Sequence, residues 1–370
     1  MALRAGAVEG VGLDPGFWSG RRVLVTGHTG FKGAWLCLWL RGLGASVTGF
    51  SLDPPTEPSL YGAARVADGL DDRRGDVRDP DAVRAAMVDA RPEVVIHMAA
   101  QPLVRRSFDD PLGTYEVNVM GTAHVLEALR HAPDARAAIV VTSDKCYEPR
   151  ADGAPCREGD PLGGSDPYSS SKACAELVTA AYRGSFPGGA AVASARAGNV
   201  IGGGDWADDR LIPDAIRAAL AGDELVVRNP DAVRPWQHVL GPLSGYLALA
   251  ERLWDDPGAA GPWNFGPEPA DELPVRAVAD RVCELWGDGL RWREGGGGPP
   301  ETGLLRLDST KARERLGWAP SWGLEDALTA TVDWFRALAG GADARALCAA
   351  QIAAYAAART RKKRPNVSIT

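Results

Sequence analysis

Three observations predict an α/β protein: a Rossmann-type, doubly wound parallel sheet with a smaller C-terminal substrate-binding domain. Short apolar runs alternate with helix-length periodic segments through the first half of the chain. A glycine-rich turn joins the first run to the first helix. Past Asn199 the pattern loosens into Pro- and Gly-rich stretches. Strands separated by crossover helices imply a parallel sheet covered on both faces.

The elements follow in order. "RRVLVTG" reads as the first strand, and "GAWLCLWLRGLG" as a helix with a glycine stop. Trp35 and Trp39 share a face of that helix and read as core. "ASVTGFS" is a strand, and "DPDAVRAAMVDA" a helix opened by Asp. "PEVVIHMAA" is a strand and "GTYEVNVMGTAHVLEALRHA" a long helix. "AAIVVTSD" is a strand, "SSSKACAELVTAAYRGS" a helix and "AAVASARAGNV" a strand. Beyond these, "IGGGDWADDRLIPD" reads as loop and "AIRAALAGD" as a short helix. No strand leads into the Gly295–Gly298 run, so it reads as a flexible loop and not as a phosphate cradle.

The 370 residues are 45% hydrophobic and 24% charged, as in ordinary globular proteins. No apolar run approaches the roughly 20 residues of a membrane span, and no secretory h-region opens the chain. A net charge of −7 argues against nucleic acid as partner. The six cysteines form no C-x-x-C and the histidines show no ligand spacing. The expectation is a reduced, cytoplasmic protein with no metal site.

"VLVTGHTGFKGAWLCLWL" places Gly27, Gly30 and Gly33 between strand and helix. Glycines there let the backbone approach a pyrophosphate seated on the helix N-terminus. His28 and Lys32 are bulky for such a loop; Lys32 either pairs with a phosphate or points into solvent. Asp53, after the second strand, is the acidic residue placed to hold a ribose, which favours NAD over NADP. Asp76 in "GDVRD" either meets the adenine edge or caps a helix. The expected division is an NAD-binding domain over 18–198, with a return segment near 234–266. Residues 199–233 and 267–340 form the substrate domain, and 1–17 and 359–370 are flexible tails.

"DPYSSSKACAE" sets Tyr168 and Lys172 at i and i+4, on one helix face. An ammonium near a phenol lowers its pKa, so Tyr168 is read as a base near neutral pH. Together, "TGHTGFKG", "TSDKCYE" and "YSSSK" resemble the extended short-chain dehydrogenase/reductase superfamily. More narrowly, they are similar to its CDP-glucose 4,6-dehydratase family. "AAQPLVRRSFDDP", "NVMGT", "GNVIGGGDW", "DRLIPD", "RPWQHVLGPLSGYL" and "LDSTKARERLGW" extend the resemblance from about Trp18 to Leu338.

That resemblance implies a redox-neutral lyase acting on CDP-glucose in three steps. Tyr168 takes the 4-hydroxyl proton as C4 is oxidised, and Ser143 hydrogen-bonds the same oxygen. Water leaves across C5 and C6, and hydride returns to C6. By position Asp144 is the acid for the departing hydroxyl and Lys145 the base at C5. Those roles require a protonated Asp144 and a neutral Lys145, which a shared desolvated pocket allows. The alternative is an ion pair that only shapes the pocket. Tyr147 and Glu148 are expected in the same pocket, with Cys146 packing away from it. The implied cofactor contacts add Phe31, Val77, Ala99, Ala100, Gln101 and Asn118 to the loop residues, Tyr168 and Lys172. Asn199, Arg210, Leu211, Arg234 and Glu301 are the implied substrate contacts, with structural roles open for Asn199 and the two arginines. His238 reads as structural. The helices around Thr114–His131 and Ser170–Gly184 imply a homodimer. A 4-epimerase or 4-reductase of the superfamily would need no acid–base pair at 144–145. A non-catalytic dinucleotide sensor would not need the Tyr168–Lys172 pair.

Overall fold

A computed structural model describes residues 13–150, 152–296 and 305–362. Its core is a seven-stranded parallel sheet. The strands are β1 (Arg22–Thr26), β2 (Ser46–Ser51), β3 (Asp71–Arg74), β4 (Val94–His97), β5 (Ala137–Val141), β6 (Ala191–Arg196) and β7 (Gly261–Asn264). Their spatial order is β7-β6-β5-β4-β1-β2-β3, which reverses direction between β1 and β4. Such a reversal opens a crevice at the carboxyl ends of the strands, where these sheets bind ligands.

Alternation along β1 feeds both faces of the sheet. Val23 and Val25 pack with Trp35, Leu36 and Leu40 of α1 (Phe31–Gly42). Leu24 faces the other way, among Val95, Ala138, Val140 and the apolar stripes of α2 (Pro80–Ala90) and α3 (Gly121–Arg130). Burial of Trp35 and Trp39 agrees with their reading as core. Asp79 caps α2 through the Asp81 and Ala82 amides, with Pro80 at the first helical position. Asp166 and Pro167 repeat that chemistry at α4 (Pro167–Ser185), which fixes Tyr168 in its first turn.

Several expectations need correction. The long helix before β5 starts at Pro111 and passes through a π-helical segment, Glu116–Met120, before α3. The helix assigned to "AIRAALAGD" starts earlier, as α5 (Leu211–Ala221), with Arg210 at its N-cap. Of the two expected tails, residues 1–12 and 363–370 lie outside the described residues, and residues 13–17 are fixed to the fold. Pro15–Trp18 is a helical turn, and the Trp18 indole and the Asp14 amide both donate to Glu251 of α6 (Leu240–Asp255), at 2.7 and 3.0 Å. The last helix, Ala344–Lys362, runs into the segment expected as a tail. Among the described residues no helix is long and apolar enough to cross a membrane.

Candidate active site

The glycine turn approaches its surroundings as closely as backbone can. Gly27 has φ +76°, and a Cβ there would lie 2.7 Å from the Ala99 amide nitrogen. A Cβ on Gly33 would lie 2.1 Å from the Gly27 carbonyl oxygen. Gly30, the N-cap of α1, supplies no side-chain cap. The first amides of the helix therefore remain available to an anion, as a dinucleotide pyrophosphate requires.

The His28 ring points away from that cradle. Its ring is fully buried against β2, where Gly49 leaves room for it: a Cβ there would be 2.4 Å from the ring. Nε2 bonds the Asp72 carboxylate of β3 at 2.7 Å, and burial holds the imidazole pKa low against that partner. Lys32 does not point into solvent. Its ammonium donates to Tyr246 Oη at 3.0 Å, and burial, with the Lys172 and Arg210 charges adding, brings it down to about 7. Phe31 opens α1 and packs partly buried against the core. Ser51 ends β2 and bonds Thr29 at 2.9 Å. Asp53, just beyond, is highly exposed and paired with Arg74 at 3.0 Å. Asp76 is no cap, since Asp79 fills that role. Its carboxylate is instead held low by hydrogen bonds from Arg78. Val77 is buried against Gly121.

Past β4, Ala99 and Ala100 line the crevice rim as half-buried residues. Gln101 spends its side chain on Leu103 and Thr114. Asn118, in the π-helical segment, accepts from the Gln101 amide at 2.9 Å and donates to the Gln101 carbonyl and Ser171 Oγ at 3.1 and 2.8 Å. It ties the loop after β4 to the helix carrying Tyr168 and Lys172. Helical breaks of this kind often mark functional positions.

The end of β5 and the start of α4 carry the five expected catalytic residues, and the Ser143 hydroxyl links Asp144 and Tyr168. Ser143 caps a 3-10 turn, Asp144–Cys146, by accepting from the Lys145 amide at 3.2 Å. Its hydroxyl donates to Asp144 Oδ1 at 2.9 Å. Asp144 is 4% exposed, and burial raises its carboxyl pKa against the pull of Lys145 and Ser143. Gly198 makes room for that carboxyl: a Cβ there would lie 2.8 Å from Oδ2. Lys145 is only half-buried, so the pair does not share one desolvated environment as expected. Lys172 is 5% exposed, and burial lowers its ammonium to about 8. The expected depression of the Tyr168 phenol is not found. Burial pushes it up to about 12, and the groups pulling it down are the Ser143 hydroxyl and the Arg210 guanidinium, not Lys172. Cys146 is buried and packs away, as expected. Tyr147 lines a small pocket with Lys145, and its hydroxyl reaches back to Arg196 and Asn264, whereas Glu148 is exposed.

The substrate end is partly assembled. Arg210 is bonded to Asp205 at 2.9 Å, and that carboxylate raises its pKa. Leu211 begins α5 beside it. Arg234 is buried, donates to the Val233 carbonyl at 3.0 Å and acts on the Asp144 charge. The Asn199 carbonyl accepts from the Gln237 amide at 3.1 Å. Glu301 and most of the Gly295–Pro300 cluster lie outside the described residues. His238 is structural: it is buried between Trp35 and Trp322.

Sequence reading missed Tyr246, Asp205, Glu176 and Arg196. Tyr246 lies 214 residues from Lys32, so no local pattern joins them. Glu176 did leave a signal, because it continues the four-residue spacing of Tyr168 and Lys172. His97 was missed too. It is buried, bonded to Thr26 and Thr122, and driven by burial to about 3. Among the described residues no cluster of His, Cys, Asp or Glu could hold a metal ion.

Comparison with known proteins agrees with this geometry. The profile of the NAD dependent epimerase/dehydratase family matches residues 23–266. A CDP-glucose 4,6-dehydratase of Salmonella typhimurium is 48% identical over 359 residues, covering 94% of this chain and all of the relative. A dTDP-glucose 4,6-dehydratase of Streptomyces griseus is 32% identical, over 85% of this chain and 93% of the relative. Among solved structures, the dTDP-glucose 4,6-dehydratase DesIV of Streptomyces venezuelae with NAD bound superposes with a TM-score of 0.74 at 25% identity. That match covers 86% of this chain and 98% of the other. With its glycine cradle, its Tyr168–Lys172 helix and this likeness, the chain belongs to the NAD dependent epimerase/dehydratase family.

Proposed function

We propose that this protein converts CDP-glucose to CDP-4-keto-6-deoxyglucose and water. The observation that carries the reading is the Asp144–Lys145 tandem beside Ser143, on the turn facing Tyr168 and Lys172. Oxidation at C4 needs a base for one hydroxyl and no more. An acid and a second base next to that base are what β-elimination requires.

Gly27, Gly30 and Gly33 would hold the pyrophosphate of NAD, with Asp53 at the ribose and Lys172 near Tyr168. When bound, NAD supplies the acceptor for the C4 hydrogen and its donor to C6, which makes the reaction redox-neutral. Tyr168 takes the proton of the 4-hydroxyl, the positive charge that NAD would bring to the site offsetting the burial that holds the phenol up, and Ser143 donates a hydrogen bond to the same oxygen. The 4-ketone acidifies the hydrogen at C5. Lys145 removes that proton, the electron pair forms the C5–C6 double bond, and Asp144 protonates the departing 6-hydroxyl. Burial suits Asp144 to this role, because it favours the neutral acid. Arg210 and Arg234 supply cationic groups for the diphosphate.

The same reading includes a homodimer. Leu112, Met120 and Leu177 stand exposed on the helices expected at the interface, which favours a partner over solvent. All six cysteines are free thiols, which supports a reducing, cytoplasmic setting.

The test is mass spectrometry of CDP-glucose incubated with purified protein and NAD, with UDP-, dTDP- and GDP-glucose in parallel. The expected result is loss of one water from CDP-glucose alone, with no net cofactor reduction. Water loss from another nucleotide sugar would replace the substrate and keep the mechanism. An isomerised sugar of unchanged mass would make the protein an epimerase.

A further inference from the structure

Behind the catalytic turn lies a pair of buried charges that the chemistry above does not use. Glu176 follows Tyr168 and Lys172 on α4 and is 3% exposed. Arg196, the last residue of β6, is 2% exposed, and its Nη2 donates to Glu176 Oε2 at 2.8 Å. Removing two ions from water costs several kcal/mol each, and an apolar pair of the same volume often serves stability as well. Fold stability alone is therefore a weak reason for these residues to sit here.

Their other bonds show what they hold. Glu176 Oε1 accepts from Thr142 Oγ1 at 2.5 Å, and Oε2 accepts from Ser194 Oγ at 2.6 Å. Arg196 Nη1 donates to Tyr147 Oη at 2.6 Å, and Tyr147 donates onward to Asn264 Oδ1 at 2.7 Å. Thr142 immediately precedes Ser143, and Tyr147 immediately follows Cys146. The pair thus grips the catalytic turn at both ends, Glu176 from the helix that carries Tyr168 and Lys172 and Arg196 from the end of β6. Within the turn, the Asp144 amide bonds the Ala197 carbonyl at 3.2 Å, whereas the Lys145 amide bonds Ser143 of the turn itself. The Cys146 carbonyl accepts from the Gly163 amide at 2.9 Å, so these backbone bonds and what holds the two flanks together place Lys145.

We propose that the Glu176–Arg196 pair, acting through Thr142 and Tyr147, positions the Ser143–Lys145 turn against the Tyr168–Lys172 face of α4, setting the elimination groups relative to the oxidation groups. The role rests on the dehydratase reading above. These are positioning residues, since none of them meets the reacting atoms. Guanidinium geometry fits this role, because one planar fork spans Glu176 and Tyr147 together, which an ammonium cannot do. A drift of about 1 Å in a reacting group costs on the order of 100-fold in rate.

The test uses the full chain with NAD and CDP-glucose after rapid mixing. Near-ultraviolet absorbance of the reduced cofactor reports C4 oxidation, and product mass reports water loss. Tyr147→Phe removes one hydroxyl and leaves the ring. Tyr147 lies at the Lys145 end of the turn, so the variant is expected to lose water on the order of 10- to 100-fold more slowly while C4 oxidation falls by a clearly smaller factor, so that reduced cofactor accumulates. Arg196→Lys keeps a cation opposite Glu176 but cannot reach Tyr147 as well, and the same split is expected. A purely structural role would slow both steps together or lower the unfolding midpoint with their ratio unchanged. Either result would overturn the positioning role while leaving the dehydratase reading standing. A wild-type protein that oxidises CDP-glucose without losing water would overturn both.

Discussion

Gly33→Ala adds one methyl group at the tightest point of the cofactor cradle. Its Cβ would sit 2.1 Å from the Gly27 carbonyl oxygen and 2.8 Å from both Gly27 C and His28 Cα. Against an ordinary contact of 3.4 Å, the shortfall at the oxygen is 1.3 Å. All three neighbours are backbone, so no side chain can swing away, and the turn and helix must part. Overpacking of this kind costs about 1–3 kcal/mol. Alanine returns about 1 kcal/mol through its better helix propensity. Net destabilisation should therefore be modest, about 0–2 kcal/mol. The functional loss should be larger, because the parted segments are the ones that present amides to the pyrophosphate. Calorimetric titration with NAD should show affinity reduced on the order of 10- to 100-fold, or about 1.4–2.7 kcal/mol. Urea unfolding of the same variant should show the smaller change. Unchanged NAD affinity in Gly33→Ala would refute the assignment of this turn as the pyrophosphate seat.

Three further outcomes follow from the site. Lys145→Ala should retain C4 oxidation, seen as reduced cofactor on adding CDP-glucose, yet block water loss; full turnover would remove Lys145 as base. Asp144→Asn should slow water loss by about 10²- to 10⁴-fold. Because burial raises the Asp144 pKa, the wild-type elimination rate should fall as pH rises through that value, and the Asn variant should lack that limb in a pH–rate profile. Lys172 falls from 10.5 to about 8, so the folded chain binds fewer protons than the unfolded chain between those values, and stability should rise with pH across that window. Below about pH 8 the buried ammonium costs about 3 kcal/mol. Lys172→Met should accordingly unfold at higher urea at pH 7 while losing C4 oxidation.

The sheet and its site were legible to different depths. The short apolar run of "RRVLVTG", the Asp opening of α2 and the four-residue spacing of Tyr168 and Lys172 are local signals, and they place the glycine turn and the Tyr168 helix correctly. The Ser143–Asp144–Lys145 run reads as a site because it ends a strand at the carboxyl edge of the sheet. What stayed hidden depends on contacts between distant segments. The direction of the His28 ring is set by the space over Gly49 and by Asp72 of β3. Lys32 meets Tyr246 from the far end of the chain. The Tyr168 phenol was misjudged because i to i+4 spacing fixes a shared face but says nothing of how deeply that face is buried, and burial dominates its pKa. Trp18 and Asp14 could not be joined to Glu251 by any local pattern either.

The central claim is that one hydrogen moves from C4 to C6 of the sugar while C5 exchanges with solvent, and CDP-glucose deuterated at C4 tests it directly. After turnover in ordinary water, nuclear magnetic resonance of the product should show deuterium at C6, a solvent proton at C5 and a keto carbon at C4. Deuterium retained at C4, or lost to solvent, would contradict the account.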